Sequence, residues 1–337
     1  MILALVAEAK AAGVRLAPAC RAFGLPARTI ERWRKHPGRE DQRRGPHQKP
    51  GNALTTAEES QVLSVLTSPR YVGLSPKQLV PLLADEDLFL ASESTLYRVQ
   101  RRHQLRRALS TITRSHVTRA SMLHRASGPN QVWSWDITWL PTSVSGRYFY
   151  LYLVMDVWSR RIVGWTIAEA EAAEISAKLV TRICRDSGVD PKGLVLHADN
   201  GAAMRGNTMV ATLQKLGIIP SFSRPHVSDD NAYSESLFRT LKHTPAYPRR
   251  PFVNLAAADA WMTRFTAWYN TTHRHSGIRF VTPDDRHFGR EDAVLAKRHA
   301  LYQRARAANP ERWTTCTRNW SPIGDVTLNP QLDRAAA

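Results

Sequence analysis

Cysteine is scarce in this 337-residue chain: Cys20, Cys184 and Cys316 lie far apart, and an odd number cannot all pair internally. With no Cys-x-x-Cys and no Cys/His cluster at zinc-ligand spacing, a disulfide scaffold and a zinc domain are both excluded. No run of about 18 consecutive apolar residues occurs, which argues against a membrane-spanning helix. The opening MILALVAEAK is apolar but too short, and no cleavage-like site follows it. Sustained heptads are missing as well, so no coiled coil is expected. Acidic residues are in deficit, 29 Asp and Glu against 47 Lys and Arg, for a formal charge of +18. An excess of that size suits nucleic acid, an anionic membrane surface or an acidic protein partner. With no span or leader, a cytoplasmic protein is expected.

What is present is ample apolar content, 43% of residues spread along the chain, enough for packed cores in two to four units. The charge is uneven. Residues 1–125 hold 21 Lys and Arg against 10 Asp and Glu, leaving 26 against 19 for the remainder. A DNA-binding module is therefore expected in the first third. Residues 2–12 predict a helix ending at Gly13, and residues 16–23 and 27–35 predict two more, joined by Gly24-Leu25-Pro26. Two short helices across a glycine turn form a helix-turn-helix, whose second helix enters the major groove. Its polar face would carry Arg28, Thr29, Arg32 and Lys35, with Ile30 and Trp33 turned inward. The same pattern also fits a helical hairpin with a solvated basic face.

Residues 37–53 are rich in Pro, Gly and charge and read as a linker after the first unit, 1–36. Residues 54–109 predict three helices: one over Thr55 to Leu66, capped by Thr55 or Thr56 with Glu58 and Glu59 following, one entered at Pro76, and one opening at Ser92. The last carries Arg98, Arg101 and Arg102, runs on to Arg106 and Arg107, and resembles a second recognition helix. Residues 110–129 read as a connector.

Past Asn130 the texture changes. Trp133, Trp135, Ile137 and Trp139 alternate with Ser134, Asp136 and Thr138, the period of a strand. Residues 147–157 and 162–167 predict two further strands of an antiparallel meander. A helix over 170–186, a short apolar strand over 194–198 buried on both faces, a helix over 203–216, a strand over 218–222 and a helix over 230–242 follow. That order is the order of a ribonuclease-H-like core, an α/β fold with a mixed sheet and helices, here preceded by all-α helix-turn-helix domains.

Three acids stand out within it. Asp136 lies on the polar side of a strand, where Asp is disfavoured. Asp199 opens an Asp-Asn-Gly sequence that an ordinary turn would also use, and Glu235 is a mid-helix Glu that could simply be solvated. Asp199, however, closes a buried strand, where open α/β sheets hold their ligands. Carboxylates from two neighbouring strands and one crossing helix suit a hard divalent cation, and two such ions support phosphoryl transfer.

The chain resembles the transposases of bacterial insertion sequences of the OrfA–OrfB type, which have a retroviral-integrase-like core. The resemblance rests on Trp135-Asp136-Ile137-Thr138, Asp156-Val157-Trp158-Ser159-Arg160, His197-Ala198-Asp199-Asn200-Gly201 and Asp230-Asn231-Ala232-Tyr233-Ser234-Glu235, with Lys242, Tyr269-Asn270 and Thr282-Pro283 downstream. Between Asp199 and Glu235 lie 35 residues (235 − 199 − 1), the spacing of that family's Asp-Asp-35-Glu triad. The resemblance is strong over residues 130–290 and looser before them. It implies a catalytic core over 130–245, a helical continuation over 246–290 and a basic C-terminal extension over 291–337. It also implies Asp136, Asp199 and Glu235 as the catalytic ligands of two Mg²⁺ or Mn²⁺ ions. DNA contact is expected at Lys242 and at Arg239, which shares its helix face and could instead pair with Glu235.

The partners so implied are double-stranded DNA, as element ends and target, and further copies of the chain assembled on it, in a bacterial, nucleoid-associated setting. The activity would be strand cleavage and strand transfer at terminal repeats. A DNA-binding regulator derived from a transposase, or a nuclease that cuts without joining, are the alternatives. His197, one strand step from Asp199, is assigned a supporting or packing role, Asp156 a structural turn, and Asp229 and Asp230 helix capping. Residues 223–229 are expected to form a loop near the site.

Overall fold

The computed structural model describes residues 2–35, 50–105, 124–224 and 231–328. The chain divides into two compact units, Met1–Ala53 and Leu54–Ala337.

In the first unit, helices α1 (Ile2–Ala11), α2 (Leu16–Ala22) and α3 (Ala27–Lys35) enclose a small core of Val6, Cys20 and Ile30, with Leu16, Leu25 and Trp33 packed against it. Gly24 has a φ of +63°, a value costly to any residue with a Cβ, and that lets the chain reverse between α2 and α3. Ile30 is fully buried, so the opposite face of α3 is turned outward: Arg28 and Lys35 are exposed, Thr29 and Arg32 half-buried. The last four residues of the expected linker, 50–53, are described; residues 36–49 lie outside the described residues.

The second unit opens with α4 (Thr56–Thr67), α5 (Pro76–Asp85) and α6 (Glu93–Arg102). Thr55 and Glu58 form the expected reciprocal cap, with the Glu58 N–H donating to Thr55 Oγ1 and the Thr55 N–H donating to Glu58. The helix read as continuing to Arg106 and Arg107 ends at Arg102; those two arginines lie outside the described residues. After strand β1 (His124–Ala126) come β2 (Val132–Pro141), β3 (Tyr148–Asp156), β4 (Ile162–Ala168), α7 (Ala173–Ser187) and β5 (Val195–Ala198). Next are α8 (Ala202–Arg205), α9 (Asn207–Leu216), β6 (Ile219–Phe222) and α10 (Ala232–His243), then α11 (Leu255–Thr271), α12 (Pro283–His287), α13 (Glu291–Ala308) and β7 (Val326–Leu328).

Five strands form one mixed sheet in the order β4-β3-β2-β5-β6: β2, β3 and β4 antiparallel, β5 and β6 parallel to β2. Helices α7 and α9 cover one face through Trp133, Trp135, Leu179, Ile183 and Leu213. Helices α10 and α11 cover the other through Leu151, Leu153, Leu237, Leu241 and Phe265. The polar side of β2 is therefore not a solvent face. Ser134 is fully buried beneath α10, whereas Trp139, on the side read as apolar, is 57% exposed past the end of the packed layer.

The Asp156-Val157-Trp158-Ser159-Arg160 segment ties the core to its continuation. Buried Asp156 accepts from the N–H of Asn130 and from both the N–H and hydroxyl of Ser159. Ser159 also meets His287 Nδ1 at 2.9 Å, Arg161 pairs with Asp284, and Arg286 donates to the Trp158 carbonyl. Asn270 bonds both the N–H and C=O of Ile162, and Thr282 caps α12.

Two sequence expectations are amended. Residues 124–126, read as part of the connector, form β1, which pairs antiparallel with β7 across some 200 residues of chain. Residues from 291 onward, read as a basic extension, are a packed part of the fold as far as they are described. Leu295, Leu301, Tyr302 and Trp320 share one core with Leu79, Leu83, Leu96 and Val99 of α5 and α6. No helix of the described residues is long and apolar enough to cross a membrane.

Candidate active site

The chain lays β2 in the middle of the sheet, builds outward to β4, then returns through α7 to place β5 on β2's other side. This reversal sets the carboxyl end of β5 beside the middle of β2, at a switch point of the kind where open α/β sheets bind ligands. The last β2–β5 pair is Ser134 with His197. Asp136 stands two residues further along β2, and Asp199 directly follows the end of β5. Both are half-buried.

Helix α10 brings the third acid. Its first residues dock on β2 through a buried polar knot in which Ser134 Oγ lies 2.6 Å from both Asn231 Oδ1 and Ser234 Oγ. Asn231 Nδ2 donates to the Trp135 carbonyl at 3.2 Å. Glu235 follows Ser234 directly and is exposed, as are Arg239 and Lys242 on the same helix face.

The electrostatics report how these groups lie. The Asp136 carboxyl is pushed up to about 7, foremost by burial, against the opposing hydrogen bond from the Ile137 N–H (2.7 Å). The negative charges of Asp199, Glu235 and Glu171 add to the rise. Three other carboxyl groups thus bear on Asp136. Among the described residues no three acidic or imidazole groups close on a single point, in keeping with like charges that repel.

Glu171 carries no signal in the sequence. It stands in a run of Glu and Ala between β4 and α7, and reaches the site because Tyr152 holds the loop from within the sheet. The Tyr152 hydroxyl donates to the Ala170 carbonyl and accepts from the Ala172 N–H, at 3.0 and 2.8 Å. Gly201 leaves room on the other side, since a Cβ there would lie 4.0 Å from Glu171 Oε1 and 3.3 Å from Met204 Sδ. Ser223 was also missed: its hydroxyl donates to Asp199 Oδ1 at 2.6 Å. His197, 2% exposed, sits behind it with Nε2 3.3 Å from Ser223 Oγ.

The remaining sequence candidates are distributed between the units. Arg28, Thr29, Arg32 and Lys35 belong to α3. On α6, Arg101 is exposed, Arg98 bonds Thr95 within its own helix, and Arg102 Nη1 donates to both Glu59 carboxylate oxygens at 2.7 and 2.9 Å. Asp229, Asp230 and residues 225–228 of the expected loop lie outside the described residues.

Family profiles described as integrase core domains match residues 126–228 and 216–283. The transposase for insertion sequence element IS904 of Lactococcus lactis subsp. lactis (strain IL1403) is 30% identical over 165 residues, covering 49% of this chain and 64% of that protein. Transposase InsF for insertion sequence IS3A of Escherichia coli (strain K12) is 29% identical over 160 residues, 47% of this chain and 54% of that protein. The chain spans less than two thirds of the length of these curated relatives. Among solved structures, the catalytic core domain of BIV integrase is 18% identical and covers 49% of this chain and 97% of that one, at a TM-score of 0.36.

Proposed function

We propose, from the premise that residues 126–283 form an integrase core domain related to those of insertion-sequence transposases, that this chain is a DNA transposase. It would bind the terminal repeats of an insertion sequence, cut at the element's ends and join the freed ends to target DNA. The observation that carries this reading is the gathering of acids where β5 ends beside β2. There Asp136, raised to about 7, feels the charges of Asp199 and Glu235.

The donor set fits a divalent metal. Carboxylates offer only hard oxygen ligands, which suit Mg²⁺ or Mn²⁺, and a cation would relieve the repulsion that raises Asp136. Asp136, Asp199 and Glu235 would hold two such ions, which when bound favour the attacking oxygen and stabilise the leaving one. The chain's own side chains do the rest. Arg239 and Lys242, one and two turns from Glu235, would grip the phosphates that flank the scissile bond. Arg28, Thr29, Arg32 and Lys35 of α3 would read the terminal repeat, and Arg98, Arg101 and Arg102 of α6 would add backbone contacts. Work on two element ends and a target calls for more than one copy of the chain on DNA.

The test is to incubate the purified chain with DNA carrying an element's ends and Mg²⁺, then map cut and joined strands. Both products are expected, and Asp136→Asn, Asp199→Asn and Glu235→Gln should each abolish them while DNA affinity is kept. Cutting without joining would favour a nuclease, and binding with neither would favour a regulator. Full cleavage in excess chelator would overturn the metal mechanism.

A further inference from the structure

Behind Asp199 runs a chain of side chains that no catalytic assignment uses. His124 Nε2 lies 2.8 Å from Ser221 Oγ, Ser221 Oγ 3.0 Å from His197 Nδ1, His197 Nε2 3.3 Å from Ser223 Oγ, and Ser223 Oγ 2.6 Å from Asp199 Oδ1. It has a structural cause. His197 and Ser221 face each other in the β5–β6 register, and Asp199 and Ser223 are the residues that directly follow the two strands. His197, Ser221 and Ser223 are all buried.

The directions of the bonds follow one from another. The Asp199 carboxylate only accepts, so the one hydroxyl proton of Ser223 goes to it, and Ser223 Oγ is left to accept from His197 Nε2–H. A neutral imidazole with its proton on Nε2 has a bare Nδ1, which accepts the Ser221 hydroxyl. Ser221 Oγ in turn accepts from His124 Nε2–H. With His197 as the neutral Nε2–H tautomer, all four bonds point toward Asp199, and successive bonds in one direction polarise each other. The Ser223 main chain is held too, its N–H donating to the Ala198 carbonyl at 2.9 Å and its carbonyl accepting from Asn200 Nδ2.

We infer that Ser223, backed by His197, Ser221 and His124, is the positioning residue for Asp199. It engages one carboxylate oxygen, Oδ1, and leaves the other for the metal. The inference rests on Asp199 being a metal ligand. Groups that orient a ligating side chain in this way typically contribute 10–100-fold to metal affinity, so the role is read out in metal binding itself, without DNA and without turnover.

The experiment titrates the full chain with Mn²⁺, following free Mn²⁺ by electron paramagnetic resonance, and records a thermal melt for every variant. Ser223→Ala should weaken Mn²⁺ binding about 10-fold or more with its melting temperature little changed, and Ser223→Thr, which keeps the hydroxyl, should restore it. Should alanine at 223 unfold the chain, Ser223→Cys keeps the volume with a much weaker donor and is expected to show the same loss. A serine that merely packs would lower the melting temperature and leave Mn²⁺ affinity alone. That result, with Asp199→Asn losing the ion, overturns the positioning role and keeps Asp199 as a ligand. Wild-type Mn²⁺ affinity in Asp199→Asn itself would remove the ligand assignment on which the inference stands.

Discussion

Asp136 holds a carboxyl pushed up to about 7 by burial, with neighbouring negative charges adding to the effect. A carboxyl raised on folding takes up its proton more readily in the folded state than in the unfolded one. The stabilisation this gives is fully present below the unfolded pKa near 4 and is lost as the pH rises through 7. As far as this group is concerned, metal-free protein should therefore be less stable at pH 8 than at pH 4. Asp136→Asn should raise the melting temperature at pH 8, by a free energy of at most about 4 kcal/mol for a shift of roughly three pKa units, and have little effect near pH 4. Melts at the two pH values, in chelator, decide it; an asparagine variant less stable at pH 8 than wild type contradicts the burial argument. At this scale the site was half legible. Asp136, Asp199 and Glu235 stand in recognisable local sequence, with 35 residues between the last two. Glu171 and Ser223 do not: Glu171 is brought in by Tyr152 from a distant strand, and Ser223 by the β5–β6 register. Such relations exist only after folding.

Elements with a local cause were read well, and those with a distant one were not. The reciprocal cap at Thr55 and Glu58 and the period-two tryptophans of β2 declare themselves within a few residues. Strands β1 and β7 have three residues each, too few for any period, and each becomes a strand only beside the other. The helix expected over 203–216 is in fact two, α8 and α9, parted at Gly206. The arginines of α3 and α6 are the candidates for DNA contact outside the core. Replacing Arg28 and Arg32 with alanine should flatten the log–log salt dependence of binding to a terminal repeat by about 0.9 for each phosphate that is no longer neutralised. Arg102 is already paired with Glu59 through Nη1, so Arg102→Ala should weaken DNA binding less than Arg101→Ala. Gel shifts over a salt series measure both; normal binding by the α3 double variant would assign the reading of DNA elsewhere.

Across the whole of the second unit, one carboxylate joins distant parts of the chain. Asp85, at the end of α5, accepts from Arg298 Nε and Nη2 at 2.6 and 2.9 Å and from Arg274 Nε at 3.1 Å, while Lys297 donates to its carbonyl. Arg298 is fully buried. Asp85→Ala would leave that guanidinium short of its counter-charge and should destabilise the unit by about 3–5 kcal/mol. Urea denaturation measures the loss, and a change under about 1 kcal/mol, the worth of an ordinary hydrogen bond, would mean that the Arg279 and Phe280 carbonyls, which also accept from Arg298, suffice for it.

The core shared by α5, α6 and the segment from Leu295 to Trp320 also sets a timetable for a chain leaving the ribosome. At about 5–20 residues per second, the last partner of Val99 emerges roughly 10–40 s after it. Through that interval Leu79, Leu83 and Leu96 lack the surface that will cover them. The nascent chain has helices early and a finished interior late, and this is the period in which a chaperone would have most to do.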